Sequence, residues 1–186
     1  MSNTEEIVGE KRVVDATILW LEKVVIGLNL CPFAKPIHVK NQIRYVVSPA
    51  LERETLLDDL KRELSLFVAA APEQTESTLL IHPRMLSEFV EYNDFLADCE
   101  LAIEEMALAG VVQVASFHPQ YQFSGTKIDD VTNYTNRSPF PMLHLLREAS
   151  VTRAVESFPD VESIYKKNMA TLKKLGNAGV ERLFRV

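Results

Sequence analysis

The sequence predicts an α/β fold: a single domain on a small, mostly parallel sheet of at least three strands with crossover helices, plus N- and C-terminal helices. Three observations predict it. Short β-branched or apolar runs at residues 42–47 (QIRYVV), 78–81 (TLLI) and 112–117 (VQVASF) alternate with long stretches of helical periodicity. Each run ends just before a proline, at Ser48-Pro49, His82-Pro83 and His118-Pro119. A strand, a helix of about five turns and a second strand form a crossover, which makes the strands parallel and puts their carboxyl ends on one edge. A fourth strand, from the loop after residue 117 or from the C-terminus, would make the sheet mixed.

The elements follow in order. Residues 1–10 are polar and read as a flexible segment. Val13, Thr17, Leu21, Val24 and Leu28 recur at steps of three and four, which predicts an amphipathic helix over 11–28. Pro32 and Pro36 stop it and bias their predecessors toward extended backbone. After the strand at 42–47, Leu56, Leu60, Leu64 and Phe67 share one face of a helix over 51–70 that Pro72 ends. The continuous apolar run at 78–81 suits a strand buried on both faces. Phe89, Tyr92, Leu96, Cys99, Ile103 and Met106 then form an unbroken helical stripe up to Gly110. Beyond the third strand, residues 118–140 follow no period. A short helix over 141–149 is expected, with Pro141 at its first position. Helices over 150–157 and 160–175 come next, the latter closed by Gly176, and 177–186 reads as a tail.

Composition narrows the function classes. At 186 residues the chain can bury one full core. A net charge of −6 argues against a nucleic-acid partner, which calls for a basic face. Lys166, Lys167, Lys173 and Lys174 fall at helical spacings and read as a solvated face. No apolar run is long enough to span a bilayer, and the N-terminus lacks the basic start and apolar core of a secretory signal. A cytoplasmic protein with no membrane partner is expected, its Cys31 and Cys99 present as thiols. Oligomeric state leaves no signal.

The functional reading centres on residues 114–148. In open α/β sheets ligands bind outside the carboxyl ends of the strands, so Ser48, His82 and His118 are expected to line one crevice. The loop after residue 117 would arch over it. That loop is long for a connection and carries Tyr121, Phe123, Tyr134 and Phe140, which a disordered linker would lack. Asn136, Arg137 and Ser138 precede the expected short helix, and His144 with Arg147 would share its polar face. These six side chains, Ser48 included, are the expected substrate-binding set, and their cations favour a small anionic molecule.

The strings GLNLCPFA, LLIHP, ASFHPQYQF and TNRSPFPMLHLLREAS resemble those of a bacterial family catalogued as domain of unknown function 1415. The similarity runs from about Trp20 to Gly176. It implies a single-domain member of that family and brings no reaction with it, so the chemistry has to be argued from residues.

Two uses of those residues are open. In the first, His118, supported by His82, is a general acid or base and Cys31 a nucleophile, in an enzyme that needs no cofactor. In the second, the same loop closes on a ligand without catalysis, or Cys31, His82, His118 and His144 hold zinc, although no local metal-binding spacing is present. Each group also has a plain reading: proline ends strands, histidines satisfy backbone, Cys31 is a small buried apolar residue, and arginines pin loops. Cys99 lies on an apolar stripe and belongs to the core.

Overall fold

The computed structural model describes residues 3–157 and 161–184. Among these, four strands form one sheet: β1 (Ile43–Val47), β2 (Ser77–Ile81), β3 (Val112–Phe117) and β4 (Met142–Arg147), in the order β1-β2-β4-β3. β1 and β2 are parallel, and β4 lies between β2 and β3, antiparallel to both. The first three strands therefore point the same way, as their shared proline endings predict. The sheet is nonetheless mixed and not mostly parallel, because the chain returns through the long loop and inserts β4 where a β2–β3 pair was expected.

That insertion also corrects the short helix expected over 141–149. Met142-Leu143-His144-Leu145-Leu146 is a strand between two neighbours, with both faces covered, so it shows neither alternation nor a helical polar face. Pro141 stands just before it, where its carbonyl still accepts the His82 N–H at 3.0 Å. Helix begins only at α5 (Glu148–Ser157).

The two faces of the sheet carry separate cores. Leu143 and Leu145 of β4, with Leu80 and Val112, pack under α3 (Arg53–Ala69) and α4 (Phe89–Glu105). On the other face, Met142, Leu79 and Ile81 pack under the N-terminal helices and Leu172 and Val180 of α6 (Val161–Phe184). The interdigitated stripe on α3 is the expected one, and Cys99 of α4 is 1% exposed, in the core as its spacing requires.

The N-terminal layer departs from the expected single helix. Helix α1 (Asn3–Trp20) begins inside the segment expected to be flexible, while Met1 and Ser2 lie outside the described residues. It passes into a π-helical turn, Leu21–Ile26, marked by bonds from Gly27 N to Glu22 O (2.9 Å) and from Leu30 N to Val25 O (2.8 Å). The extra residue in the turn brings Trp20, Leu21, Val24 and Val25 to the sheet together. A Cβ on Gly27 would stand 2.3 Å from the Lys23 carbonyl oxygen, so the turn closes only over glycine. A short helix α2 (Ala34–Val39) follows, with Pro36 in its first turn, where no helical N–H is lost.

At the other terminus Gly176, at φ 67° and ψ 168°, bends α6 instead of ending it, and the helix resumes to Phe184. Residues 177–184 are thus helical where a tail was expected. Asp160, its expected start, and Arg185 and Val186 lie outside the described residues. No helix of the described residues is long and apolar enough to cross a membrane.

Candidate functional site

Ser48, His82 and His118 do lie at one edge of the sheet, but their polar atoms turn inward. Ser48 donates to the Asp59 carboxylate at 2.5 Å and accepts the Ala50 N–H at 3.1 Å. Nδ1 of His118 accepts the Gln120 N–H at 3.0 Å, so Nε2 carries the proton and donates to the Leu86 carbonyl at 3.0 Å. His82 donates from Nδ1 to the Met85 carbonyl at 3.1 Å, leaving Nε2 buried without a partner among the described residues. Tyr92 fills the space between the two imidazoles, its ring 5.8 Å from one and 5.0 Å from the other. Its hydroxyl donates to Met142 O at 2.8 Å and accepts the Phe117 N–H at 3.0 Å, tying β4 to β3. Burial holds His82 down to about 4, and it lowers His118 as well. The expected crevice is a packed aromatic plug.

The cations of the loop are also occupied. Arg137 donates to the carbonyls of Ile128 (2.5 Å) and Tyr121 (3.2 Å), and its guanidinium stacks 4.7 Å from the Tyr134 ring. Asn136 donates to Ser116 O at 3.1 Å, and Ser138 to Phe140 O at 2.6 Å. Sequence reasoning missed the hub of this loop, Asn133. It is fully buried, accepts from Phe123 N (3.0 Å) and Thr126 Oγ1 (2.9 Å), and donates to Lys127 O (2.8 Å). Its one legible signal was Asp130-x-Thr132, where the aspartate caps the short 3-10 turn Val131–Thr135. The length of the loop is accounted for by its own hydrogen bonds.

His144 and Arg147 part company because three residues along a strand point to opposite faces. Arg147 goes to the α3 side. There it donates to the carbonyls of Phe67 (2.8 Å), Ala70 (2.8 Å) and Thr75 (2.9 Å) and lies 4.4 Å from the Phe67 ring, capping the end of α3. His144 goes to the other face, as does Cys31. The proposed zinc set is therefore split between the two faces, and among the described residues no group of three or more His, Cys, Asp or Glu is placed to hold a metal ion.

His144 and Cys31 meet a different feature, a cavity of about 400 Å³ between the sheet and the N-terminal layer. Its floor is Leu79, His144 and Ala115, cross-strand neighbours on β2, β4 and β3, followed by Ser77, Leu146 and Gln113. Trp20, Leu21 and Val25 of the π-helical turn, with Cys31 and Phe33, form one wall, and Val151, Ala154 and Val155 of α5 another. The small Ala115, beside His144 and two residues before Phe117, leaves the room. Around the half-buried Cys31, desolvation outweighs the backbone N–H groups of Phe33 and Ala34 and raises the thiol pKa, so the thiol stays protonated. Burial lowers His144 to about 4, so its ring is neutral near pH 7; the ring lies 6.1 Å from that of Phe117, and among the described residues neither ring nitrogen has a hydrogen-bond partner.

A family comparison covers all of this. Residues 12–182 match the family described as "Protein of unknown function (DUF1415)". The chain belongs to that family. The match takes in every cavity residue, the aromatic plug and the loop, so all of them lie inside the matched domain. Neither the curated proteins nor the solved structures contain a match to this DUF1415 member.

Proposed function

We propose that the protein binds an apolar small molecule in the cavity between the sheet and the π-helical turn. The observation that carries this reading is the cavity itself: about 400 Å³, bordered almost wholly by apolar side chains, with a few polar groups among them. Small-molecule sites have this size and composition. A second feature agrees with it. The wall contains a π-helical turn that only Gly27 permits, and such turns, at odds with regular helix, gather at functional sites.

Binding without catalysis suits the groups present better than the alternatives. A nucleophilic Cys31 would call for an acidic thiol, and here burial raises its pKa. A small anion at the carboxyl edge would call for free cations, and both Arg137 and Arg147 spend their donors on backbone carbonyls. His118, the expected acid or base, has both nitrogens engaged.

Titration with N-phenyl-1-naphthylamine, a neutral dye that brightens in apolar surroundings, tests the reading. Saturable binding is expected, and a tight ligand held at about a hundred times its Kd should stabilise the protein by about 2.7 kcal/mol. Ala115→Phe and Ala154→Phe, which fill the cavity from the floor and from α5, should abolish uptake while leaving the fold intact. Dye binding that survives both replacements would place the apolar site elsewhere and end the proposal.

A further inference from the structure

We propose that His144 is the recognition group of the cavity, and that it selects uncharged molecules carrying one hydrogen-bonding oxygen or nitrogen on an otherwise apolar body. The inference rests on the cavity being a binding site and adds the chemistry of its occupant.

The position of His144 is the first argument. It stands on the central strand β4, paired with Leu79 on one side and Ala115 on the other, so it is a lone imidazole in an apolar row of the floor. An imidazole carries one N–H donor and one acceptor, and an occupant that displaced water from them without a polar atom of its own would leave both unmade at a cost. The two histidines of the plug each have backbone partners: His118 one on each nitrogen, and His82 one on Nδ1. His144, half-buried and facing the cavity, has none among the described residues, and Ser77 Oγ in the next row and the Trp20 indole nitrogen on the wall are buried without partners. The groups that would meet a polar atom are in place and unused.

Charge is the second argument. The imidazole is held neutral by burial, so it offers hydrogen bonds and no countercharge. Arg147, which borders the cavity through the same strand, sends its guanidinium to the opposite face, onto the carbonyls at the end of α3. The remaining ionisable side chains on the lining are Cys31, protonated, and the half-buried Glu76, which repels an anion. A carboxylate or phosphate entering here would lose its water and gain no cation. The polar side chains also cluster: Ser77 and Gln113 flank Leu146 in the row next to His144, whereas Trp20, Leu21 and Phe117 are apolar surface beyond it. A molecule with one polar end matches that division.

Four probes of one shape test it: naphthalene, 2-naphthol, 2-naphthoate and protonated 2-naphthylmethylamine, each competed against the neutral dye. Wild-type protein is expected to bind 2-naphthol about tenfold more tightly than naphthalene, the yield of one buried neutral hydrogen bond, and both charged probes more weakly than 2-naphthol. His144→Leu should bring naphthol and naphthalene together, His144→Gln should keep part of the difference, and Ser77→Ala should keep most of it. The inference is overturned if naphthoate or the ammonium competes as well as naphthol. It is equally overturned if the preference for naphthol survives His144→Leu, including the case in which Ser77→Ala alone removes it. Uptake of dye and naphthalene without any preference refutes the role of His144 and leaves the cavity reading standing, whereas failure of all apolar probes refutes the cavity reading itself.

Discussion

Arg147 offers the sharpest contrast between a binding group and a structural one. Replacing it with Met keeps the stem that packs on Phe67 and removes the guanidinium, so the carbonyls of Phe67, Ala70 and Thr75 lose their donor together. Two of these terminate α3, where no helical N–H is available to take over. Each lost bond to a partly buried carbonyl is worth about 1 kcal/mol, and with the ring contact also gone the variant should be less stable by about 3 kcal/mol. For a domain of this size that is a drop of roughly 6–12 °C in Tm. Urea titration with an unchanged slope measures it directly. Arg147→Lys should fall between, because an ammonium reaches the same carbonyls without the fork that serves three at once. In parallel, phosphate and small carboxylates should leave the Tm of the wild type where it is. A loss under about 0.5 kcal/mol in Arg147→Met, or anion stabilisation that the variant abolishes, would refute the capping argument and return Arg147 to the ligand.

Three further outcomes are expected. Gly27→Ala should cost about 1–3 kcal/mol and weaken dye binding, since its Cβ would meet the Lys23 carbonyl at 2.3 Å, whereas Gly9→Ala, with nothing within 4 Å, should be neutral or slightly stabilising in chemical denaturation. Cys99→Ser, placing a hydroxyl at a site 1% exposed, should lower stability by about 1–3 kcal/mol and spare ligand uptake; an unchanged melting temperature would contradict the packing described for α4. Acid should destabilise the fold well above the carboxylate range: His82 drops from 6.5 to about 4 on folding, so its share of stability is complete above pH 6.5 and falls by about 3 kcal/mol as pH approaches 4. His144 acts in the same direction and by less, because it borders a cavity that water can enter, and a urea midpoint that stays flat from pH 7 to 4.5 would count against both.

The parts of the fold that were legible are those settled by local pattern. β1, β2, α3, α4 and the common direction of β1 to β3 follow from apolar period and from three prolines. β4 was not legible, because a fully covered strand of six residues and one and a half turns of buried helix present the same string of Leu and Met. That single misreading displaced the site. With His144 and Arg147 on a helix they share a face and suggest an anion; on a strand they serve opposite cores. The partners of Arg147 lie 72 to 80 residues away in sequence, and nothing near the arginine announces them.

The same insertion explains why the rule about carboxyl edges fails here. That rule holds where successive crossovers diverge and leave a crevice between neighbouring parallel strands. In this sheet β2 and β3 never meet, and the antiparallel β4 enters between them at Met142. The loop that delivers it must cross the edge, and it is anchored there by His118 N–H to Asn136 O (3.2 Å) and by Asn136 to Ser116 O. Tyr92 then bonds to the last residue of β3 and the first of β4, and its ring packs between His82 and His118 at that edge. Room is found where packing is interrupted from the other side. The π-helical turn sets its large side chains toward the sheet at Trp20, Leu21 and Val25, β3 answers with Ala115, and the gap between them is roofed by α5, which begins directly after β4. The cavity and the closed edge are thus two results of one topological step, and a variant that filled the cavity would leave the His82–Tyr92–His118 plug undisturbed.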